Sequence, residues 1–211
     1  MKRRSALINI TKGFGIVTLT PSITGVLQSC SNETNEYIPN FFDKNDFNLI
    51  SKILEIYLPE TNDSPGASTL NLSSFVDIFF DKIATDEDRS FFLKSIGIFK
   101  NKLLAQKKGF ELNKLIENSL RVPVKQQEDQ DEEIDMYIDS ISTKGENYFI
   151  PSDKVMIYGF LSKLKDIALF GFFRNEVVAK KHMSYSPVPG QQKGCLDLNE
   201  ATKGKVWAIN R

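Results

Sequence analysis

The chain contains few of the side chains that most often carry out chemistry. Its 211 residues include two cysteines, Cys30 and Cys195, and one histidine, His182. A single histidine excludes a multi-histidine metal site, and the two cysteines lack the spacing of zinc ligands. A Ser-His-Asp triad would have to use His182, which we interpret as a solvated residue because Lys180 and Lys181 precede it. The sequence therefore gives little support for metal or triad chemistry.

Motifs of cofactor-binding and nucleic-acid-binding proteins are also missing. No Cys-x-x-Cys-His run is present for haem attachment, and no glycine-rich dinucleotide fingerprint follows a strand. Basic and acidic residues number 27 each, so a net charge of zero gives no general attraction to nucleic acids. We therefore expect no catalytic, cofactor-binding or metal-binding residues in this chain, and no nucleic-acid partner.

Residues 1–30 have the pattern of an export signal rather than of a folded element. They begin with a basic stretch, and the modestly apolar run 13–20 is too short for a membrane span, which needs about 20 apolar residues. The pair Arg3 and Arg4 resembles a twin-arginine signal, but Ala6 stands where that signal usually has Phe or Leu. A general secretory signal is the alternative.

The export segment ends in Leu27-Gln28-Ser29-Cys30, which resembles a bacterial lipobox. We predict that Cys30 is lipidated and anchors the protein to a membrane surface in the periplasm without spanning the bilayer. An incidental cysteine near an ordinary cleavage site is the alternative. Residues 31–42, rich in Asn, Thr and Glu, are then expected to form a flexible tether.

Residues 43–182 are predicted to form a helical domain. Apolar residues recur at helical spacing, and we expect helices that begin near residues 43, 72, 86, 110 and 153. The last of these has apolar residues on most of its circumference, so it should lie in the centre of the core. The acidic run 125–133 is either a loop or the exposed start of a helix that continues to Ile141. In both cases we interpret it as a solvated face.

Helical periodicity disappears after about residue 182. Two prolines and two glycines in 183–198 forbid a helix there and fix an extended path. The predicted fold class is therefore all-α, an irregular helical bundle followed by a long non-helical C-terminal tail, 183–211. The tail either wraps its own domain or crosses to a partner, and we favour the partner. The residues assigned to partner contacts are Tyr185, Pro187, Pro189, Gly190, Gly194, Cys195 and Trp207.

Two motifs follow each other along the chain. The first comes after the first predicted helix and reads Leu58-Pro59-Glu60-Thr61 through Ser64-Pro65-Gly66-Ala67. The second lies in the tail and reads Tyr185-Ser186-Pro187 with Pro189-Gly190 and Gly194-Cys195. Together with the Gly171-Phe172-Phe173 end of the long helix and the twin-arginine-like start, they resemble the gluconate 2-dehydrogenase subunit 3 family over roughly residues 43–198. The chain departs from the family in an acidic insertion near 125–135 and in its imperfect signal.

The resemblance implies a supporting role rather than an active site. Such proteins look like small, non-catalytic partners of FAD-dependent gluconate, sugar or alcohol dehydrogenases of the glucose-methanol-choline type. A cytochrome c subunit often completes the complex, and the FAD belongs to the large subunit. The small subunit is thought to support folding and export of the flavoprotein. A stand-alone helical lipoprotein of the cell envelope that acts as a binding module, or an enzyme in its own right, are the alternatives.

Cys195 has a specific role in this interpretation. If Cys30 is lipidated, Cys195 is the one remaining cysteine of a protein in an oxidising compartment, and an odd cysteine there suggests pairing between chains. We predict a disulfide between Cys195 and the large subunit. A buried, reduced thiol and a Cys30–Cys195 bridge are the alternatives.

Overall fold

Eight helices form in the residues that the computed structural model describes, which are 37–106, 111–143, 149–185 and 197–208. No strand forms in these residues, and one isolated bridge joins Ser184 to Trp207. The predicted all-helical bundle is confirmed. The helices are α1 Lys44–Tyr57, α2 Leu72–Lys82, α3 Asp86–Leu104, α4 Leu112–Leu120, α5 Val124–Thr143, α6 Asp153–Arg174, α7 Glu176–His182 and α8 Leu198–Thr202.

Side chains that precede the helices fix where several of them begin. Asp43 accepts a hydrogen bond from the backbone N–H of Asp46 at 2.8 Å, and Thr85 accepts one from Asp88 at 3.1 Å. Ser152 caps α6 in the same way. Each bond satisfies a backbone donor that has no partner within its own helix. The predicted helix starts near residues 43, 86 and 153 are therefore confirmed.

The structure adds to or corrects the sequence-based expectation in three elements. Asn71 precedes α2 in a left-handed conformation, with φ of 53°, and its side chain makes no capping hydrogen bond. Of the two alternatives for the acidic run, the helix is the one observed, since α5 begins at Val124 and continues to Thr143. The tail predicted as non-helical contains one short helix, α8, which Asp197 caps by accepting from the N–H of Asn199 at 2.9 Å.

Helix α6 lies at the centre of the bundle, as its sequence predicted. It packs against α1, α2, α3, α4, α5 and α7, and most of its residues from Val155 to Ala168 are buried. Phe160 of α6 lies 5.0 Å from Phe92 and 5.3 Å from Phe99 between ring centroids. Burial of each such ring stabilises the fold by about 1.5–3 kcal/mol. The core is therefore assembled around one helix, whose residues 155–161 are all buried.

Buried Asp77 of α2 holds the segment that leads into the domain. Its carboxylate accepts from the backbone N–H groups of Asn40 at 2.8 Å, Phe41 at 3.1 Å and Phe42 at 3.0 Å. The rings of Phe41 and Phe42 then pack on Phe80, with centroid distances of 5.5 and 5.6 Å. The predicted flexible tether 31–42 is therefore wrong for residues 40–42, because the sequence did not reveal this acceptor.

Arg89 of α3 closes the C-terminal end of α2. Its guanidinium donates to the carbonyl oxygens of Phe80 at 2.6 Å and Asp81 at 2.9 Å. These carbonyls lie in the last turn of α2, where the helix has no internal donors for them. Neighbouring segments thus contact α2 at its middle, through Asp77, and at its C-terminal end, through Arg89.

The loop between α1 and α2 contains the first motif, and it folds back on itself. The N–H of Ala67 donates to the carbonyl of Leu58 at 2.8 Å, and the Thr69 hydroxyl donates to the Glu60 carboxylate at 2.8 Å. A Cβ atom at Gly66 would lie 2.7 Å from the backbone nitrogen of Glu60, so only glycine fits there without movement. The motif is thus a structural requirement of a tight loop.

The helices belong to one compact unit, residues 38–211. In the described parts of this chain, none of the helices combines the length and the apolar character needed to cross a bilayer.

We expect Asp77→Ala to lower the free energy of unfolding by about 3 kcal/mol, because three backbone donors lose their acceptor. Asp77→Asn retains one acceptor oxygen, so its free energy of unfolding should lie between those of the parent protein and Asp77→Ala. Chemical denaturation monitored by circular dichroism measures the change. Asp81→Ala is the matched control on the same helix, since its ion pair with Lys82 lies at the surface, and it should cost no more than about 0.5 kcal/mol. Equal losses for Asp77→Ala and Asp81→Ala would contradict the anchoring role.

Candidate docking site

A groove of about 600 Å³ runs between α5 and α6. Helix α5 contributes residues spaced three and four apart, which places them on one face, and α6 contributes a second such face. Phe79 of α2 and Phe91 of α3 complete the lining. The residues from the two helices are Asp131, Ile134, Asp135 and Ile138 of α5, and Gly159, Ser162, Lys163, Asp166, Ile167 and Phe170 of α6.

Gly159 allows the two helices to approach each other. A Cβ atom at this position would lie 2.6 Å from Cδ1 of Ile134 and 2.8 Å from Cζ of Phe91. Real Cβ atoms essentially never come this close to another heavy atom. The glycine therefore lets Ile134 and Phe91 sit directly over the backbone of α6 and form the floor of the groove.

Phe170 forms one end of the groove and is held from two sides. Its ring stacks on that of Phe75 at a centroid distance of 6.2 Å, and the guanidinium of Arg174 lies 3.6 Å from its centroid. A Cβ at Gly171 would lie 2.6 Å from the ring of Phe75, so this glycine makes room for Phe75 against α6. Phe170 remains 43% exposed. An aromatic side chain is thus fixed in place with much of its surface open to solvent.

Three carboxylates give the groove a negative potential. Desolvation raises the pKa of Asp131, and the charges of Asp135 and Asp166 raise it further. Burial raises the pKa of Tyr158 as well, with added contributions from Asp131 and Asp166, against a lowering hydrogen bond with Ser162. Among the described residues, none of the three carboxylates forms an ion pair. The charges of Asp135 and Asp166 therefore disfavour the ionised form of Asp131 in the free protein.

The one basic residue in the lining is already neutralised. Lys163 of α6 forms an ion pair with Asp88 of α3, and both side chains are partly buried. Its charge is therefore largely compensated by a carboxylate that does not line the groove. In the described residues no group of three His, Cys, Asp or Glu side chains could hold a metal ion.

The second candidate surface lies where the tail returns to the domain. The N–H of Ser184 donates to the carbonyl of Val206 at 2.8 Å, and the N–H of Ala208 donates to the carbonyl of Ser184 at 2.9 Å. Met183 and Ala208 are buried beside this parallel bridge, while Trp207 is 51% exposed and Tyr185 is 41% exposed. The bridge therefore brings Tyr185 and Trp207, which are far apart in sequence, to the same part of the surface.

A turn after α8 makes this return possible. Lys203 and Gly204 both have positive φ, 53° and 77°, and they reverse the direction of the chain. The residues that follow this turn then pair with Ser184. Lys205 then donates from its side chain to the carbonyl of Lys181 at 3.3 Å. The end of the tail thus wraps its own domain, which was the alternative to crossing toward a partner.

The other predicted site residues lie outside the described residues. These are Arg3, Arg4 and Cys30 of the export segment, and Pro187, Pro189, Gly190, Gly194 and Cys195 of the tail. Of the partner-binding residues predicted from the sequence, only Tyr185 and Trp207 have a described position.

The groove was missed because the acidic run was interpreted as one solvated face. Asp129, Asp131 and Glu132 are all exposed and fit that interpretation, but Asp131 also lines the groove beside α6. A signal was present in the spacing, because Asp131 and Asp135 alternate with Ile134 and Ile138 on one helical face. Acids interleaved with isoleucines on one face indicate a surface that is neither fully solvated nor core.

Comparison with known proteins supports the resemblance found in the sequence. A family model described as gluconate 2-dehydrogenase subunit 3 matches residues 44–190, which is more than half of the chain. The match covers the helices from α1 to α7, and thus both helices of the groove. No curated protein and no solved structure matches the chain.

Two glycine substitutions should change stability in opposite directions. Gly159→Ala forces Ile134 and Phe91 away from α6 and should lower the free energy of unfolding by about 1–3 kcal/mol. Gly97→Ala in α3 meets no atom within 4 Å and should raise it by about 0.5–1 kcal/mol through helix propensity. Thermal unfolding of both variants beside the parent protein measures the two changes. Stabilisation by both alanines would show that α5 and α6 are not closely packed at Gly159.

The Asp131→Asn variant should be slightly more stable than the parent at pH 7. Because the pKa of Asp131 is raised in the folded state, its ionised form lowers the free energy of unfolding above that pKa. This loss of stability disappears at low pH, where the carboxyl group is protonated in both the folded and the unfolded state. The gain, at most about 0.5 kcal/mol for a largely solvated group, should therefore shrink as the pH falls through the raised pKa toward 3.8. Denaturant midpoints at several pH values test this, and a gain that is independent of pH would contradict it.

Proposed function

The chain belongs to the gluconate 2-dehydrogenase subunit 3 family, and on this basis we propose that it is the non-catalytic small subunit of an exported, FAD-dependent dehydrogenase complex. Its large subunit is a flavoprotein of the glucose-methanol-choline type that oxidises gluconate, another sugar or an alcohol. The observation that carries the proposal is the family match over the helical domain. The FAD belongs to the large subunit, and a cytochrome c subunit accepts the electrons.

The small subunit acts by binding. A partner that binds only the folded flavoprotein shifts its folding equilibrium, by about 2.7 kcal/mol when its concentration is a hundred times the dissociation constant. The exposed aromatic residues Tyr185 and Trp207 support this role, since tyrosine and tryptophan are enriched among the residues that dominate binding energy at interfaces. The residues around them in the tail, Pro187, Pro189, Gly190 and Gly194, complete the proposed contact.

Export and anchoring belong to the same proposal. Arg3 and Arg4 direct the small subunit through the twin-arginine route, which carries folded proteins, and the bound flavoprotein crosses with it. Lipidation of Cys30 then holds the complex at the periplasmic surface of a bacterial membrane. Cys195 forms a disulfide with the large subunit, which is chemically possible because the periplasm is oxidising.

Purification of the tagged full-length chain from the membranes of its native host tests the function. We expect a second, larger polypeptide, a flavin absorption spectrum, and oxidation of gluconate or a related sugar with an artificial electron acceptor. The chain purified alone should show neither flavin nor turnover. A tightly held flavin in the isolated chain would overturn the non-catalytic role, and purification without any dehydrogenase would favour a stand-alone envelope lipoprotein.

The same preparation tests the two cysteines. On a gel without reductant the two chains should migrate together, and Cys195→Ser should separate them while the flavin still co-purifies under native conditions. Cys30→Ser should release the complex from the membrane fraction without separating the chains. Migration as separate chains without reductant would remove the disulfide from the proposal.

A further inference from the structure

We infer that the groove between α5 and α6 binds a segment of the large subunit in which apolar side chains are flanked by lysine or arginine. This inference rests on the proposed function, and it names a docking surface on the helical domain itself, separate from the tail. Its elements are an apolar floor, three carboxylates without ion pairs among the described residues, and a rigid aromatic end.

The floor of the groove suits apolar side chains. Ile134, Ile138 and Ile167 line it together with Phe79 and Phe91. A volume of about 600 Å³ lies within the range of about 300–1,000 Å³ that is typical of ligand sites. Several side chains of a bound segment therefore fit between the two helices.

The aromatic end gives the bound segment a fixed point. Phe170 keeps 43% of its surface exposed although Phe75 and Arg174 hold its ring from two sides. A pre-positioned aromatic ring loses little conformational entropy on binding, so most of the energy of its burial contributes to affinity. Phe170 is therefore the expected anchor for an apolar side chain of the partner.

The charges of the groove indicate which charged residues the bound segment carries. Asp131, Asp135 and Asp166 face the groove, and Lys163 is neutralised by Asp88. Desolvation raises the pKa of Asp131, and the negative charges of Asp135 and Asp166 raise it further, which agrees with an excess of negative charge in the groove. A lysine or arginine placed among them would offset this excess, whereas an acidic or purely apolar segment would not. Charge complementarity therefore selects a basic segment.

Helix α5 offers a matched control for this inference. Asp129, Asp131, Glu132 and Asp135 are all exposed, but Asp131 and Asp135 line the groove, whereas Asp129 and Glu132 lie outside the lining. All four are acidic residues of one helix, so exchange of either pair for lysines changes the net charge equally. A difference between the two double variants therefore reports the position of the charges and not their number.

Binding of the large subunit to each variant tests the inference. We expect Asp131→Lys with Asp135→Lys to raise the dissociation constant of the purified complex roughly tenfold or more, and Asp129→Lys with Glu132→Lys to change it less than about twofold. Affinity of the parent protein should fall between about 50 and 300 mM salt, because exposed charges are screened over this range. Circular dichroism and thermal unfolding establish that each variant is folded. Equal affinity of the two double variants would overturn the inference.

A photo-reactive amino acid in place of Ile138 locates the contact directly. After irradiation of the complex, mass spectrometry should identify a cross-linked peptide of the large subunit that carries lysine or arginine beside apolar residues. The same amino acid in place of Asp129 should give no such product. A product at position 129 alone, or a cross-linked peptide without basic residues, would refute the assignment.

The two proposals can fail separately. If the parent chain binds a flavin-containing large subunit and the groove variants bind it equally well, the groove is not the docking surface and the proposed function stands. If the parent chain binds no flavoprotein, the proposed function fails, and the inference fails with it.

Discussion

The fold depends on the burial of α6, whose residues 155–161 are all buried. Six other helices pack on it. A helical segment that is apolar on all sides is not stable in water by itself, so neighbouring helices must cover it. The short helices α4 and α7 both pack on α6 and contribute to this cover.

Close approach to α6 is controlled by glycine at two places. Gly159 admits Ile134 and Phe91, and Gly171 admits the ring of Phe75. At both positions a side chain from a neighbouring helix occupies the space beside the glycine, so no cavity is left there. The same two contacts shape the groove, since its floor lies over Gly159 and its aromatic end lies next to Gly171. Packing of the core and shape of the proposed docking surface therefore have one origin.

Much of the helical domain could be predicted from the sequence because its determinants are local. The spacing of apolar residues identified α1, α2, α3 and α6, and the capping residues Asp43, Thr85 and Ser152 located three of their starts. The elements that were missed depend on contacts between distant residues. Asp77 anchors a segment more than thirty residues away, and no periodicity reports such a contact. The position of Asp131 beside Asp166 likewise needs two helices to meet before the charges can interact.

The pairing of Ser184 with Trp207 also bears on how a bound tail would act. A segment attached at one end limits the distance between two proteins and leaves their orientation free. Here the chain is attached to the domain at Ser184 and again at Trp207, through two backbone hydrogen bonds. A partner that bound between these two attachment points would lose rotational freedom about the helical domain as well as distance.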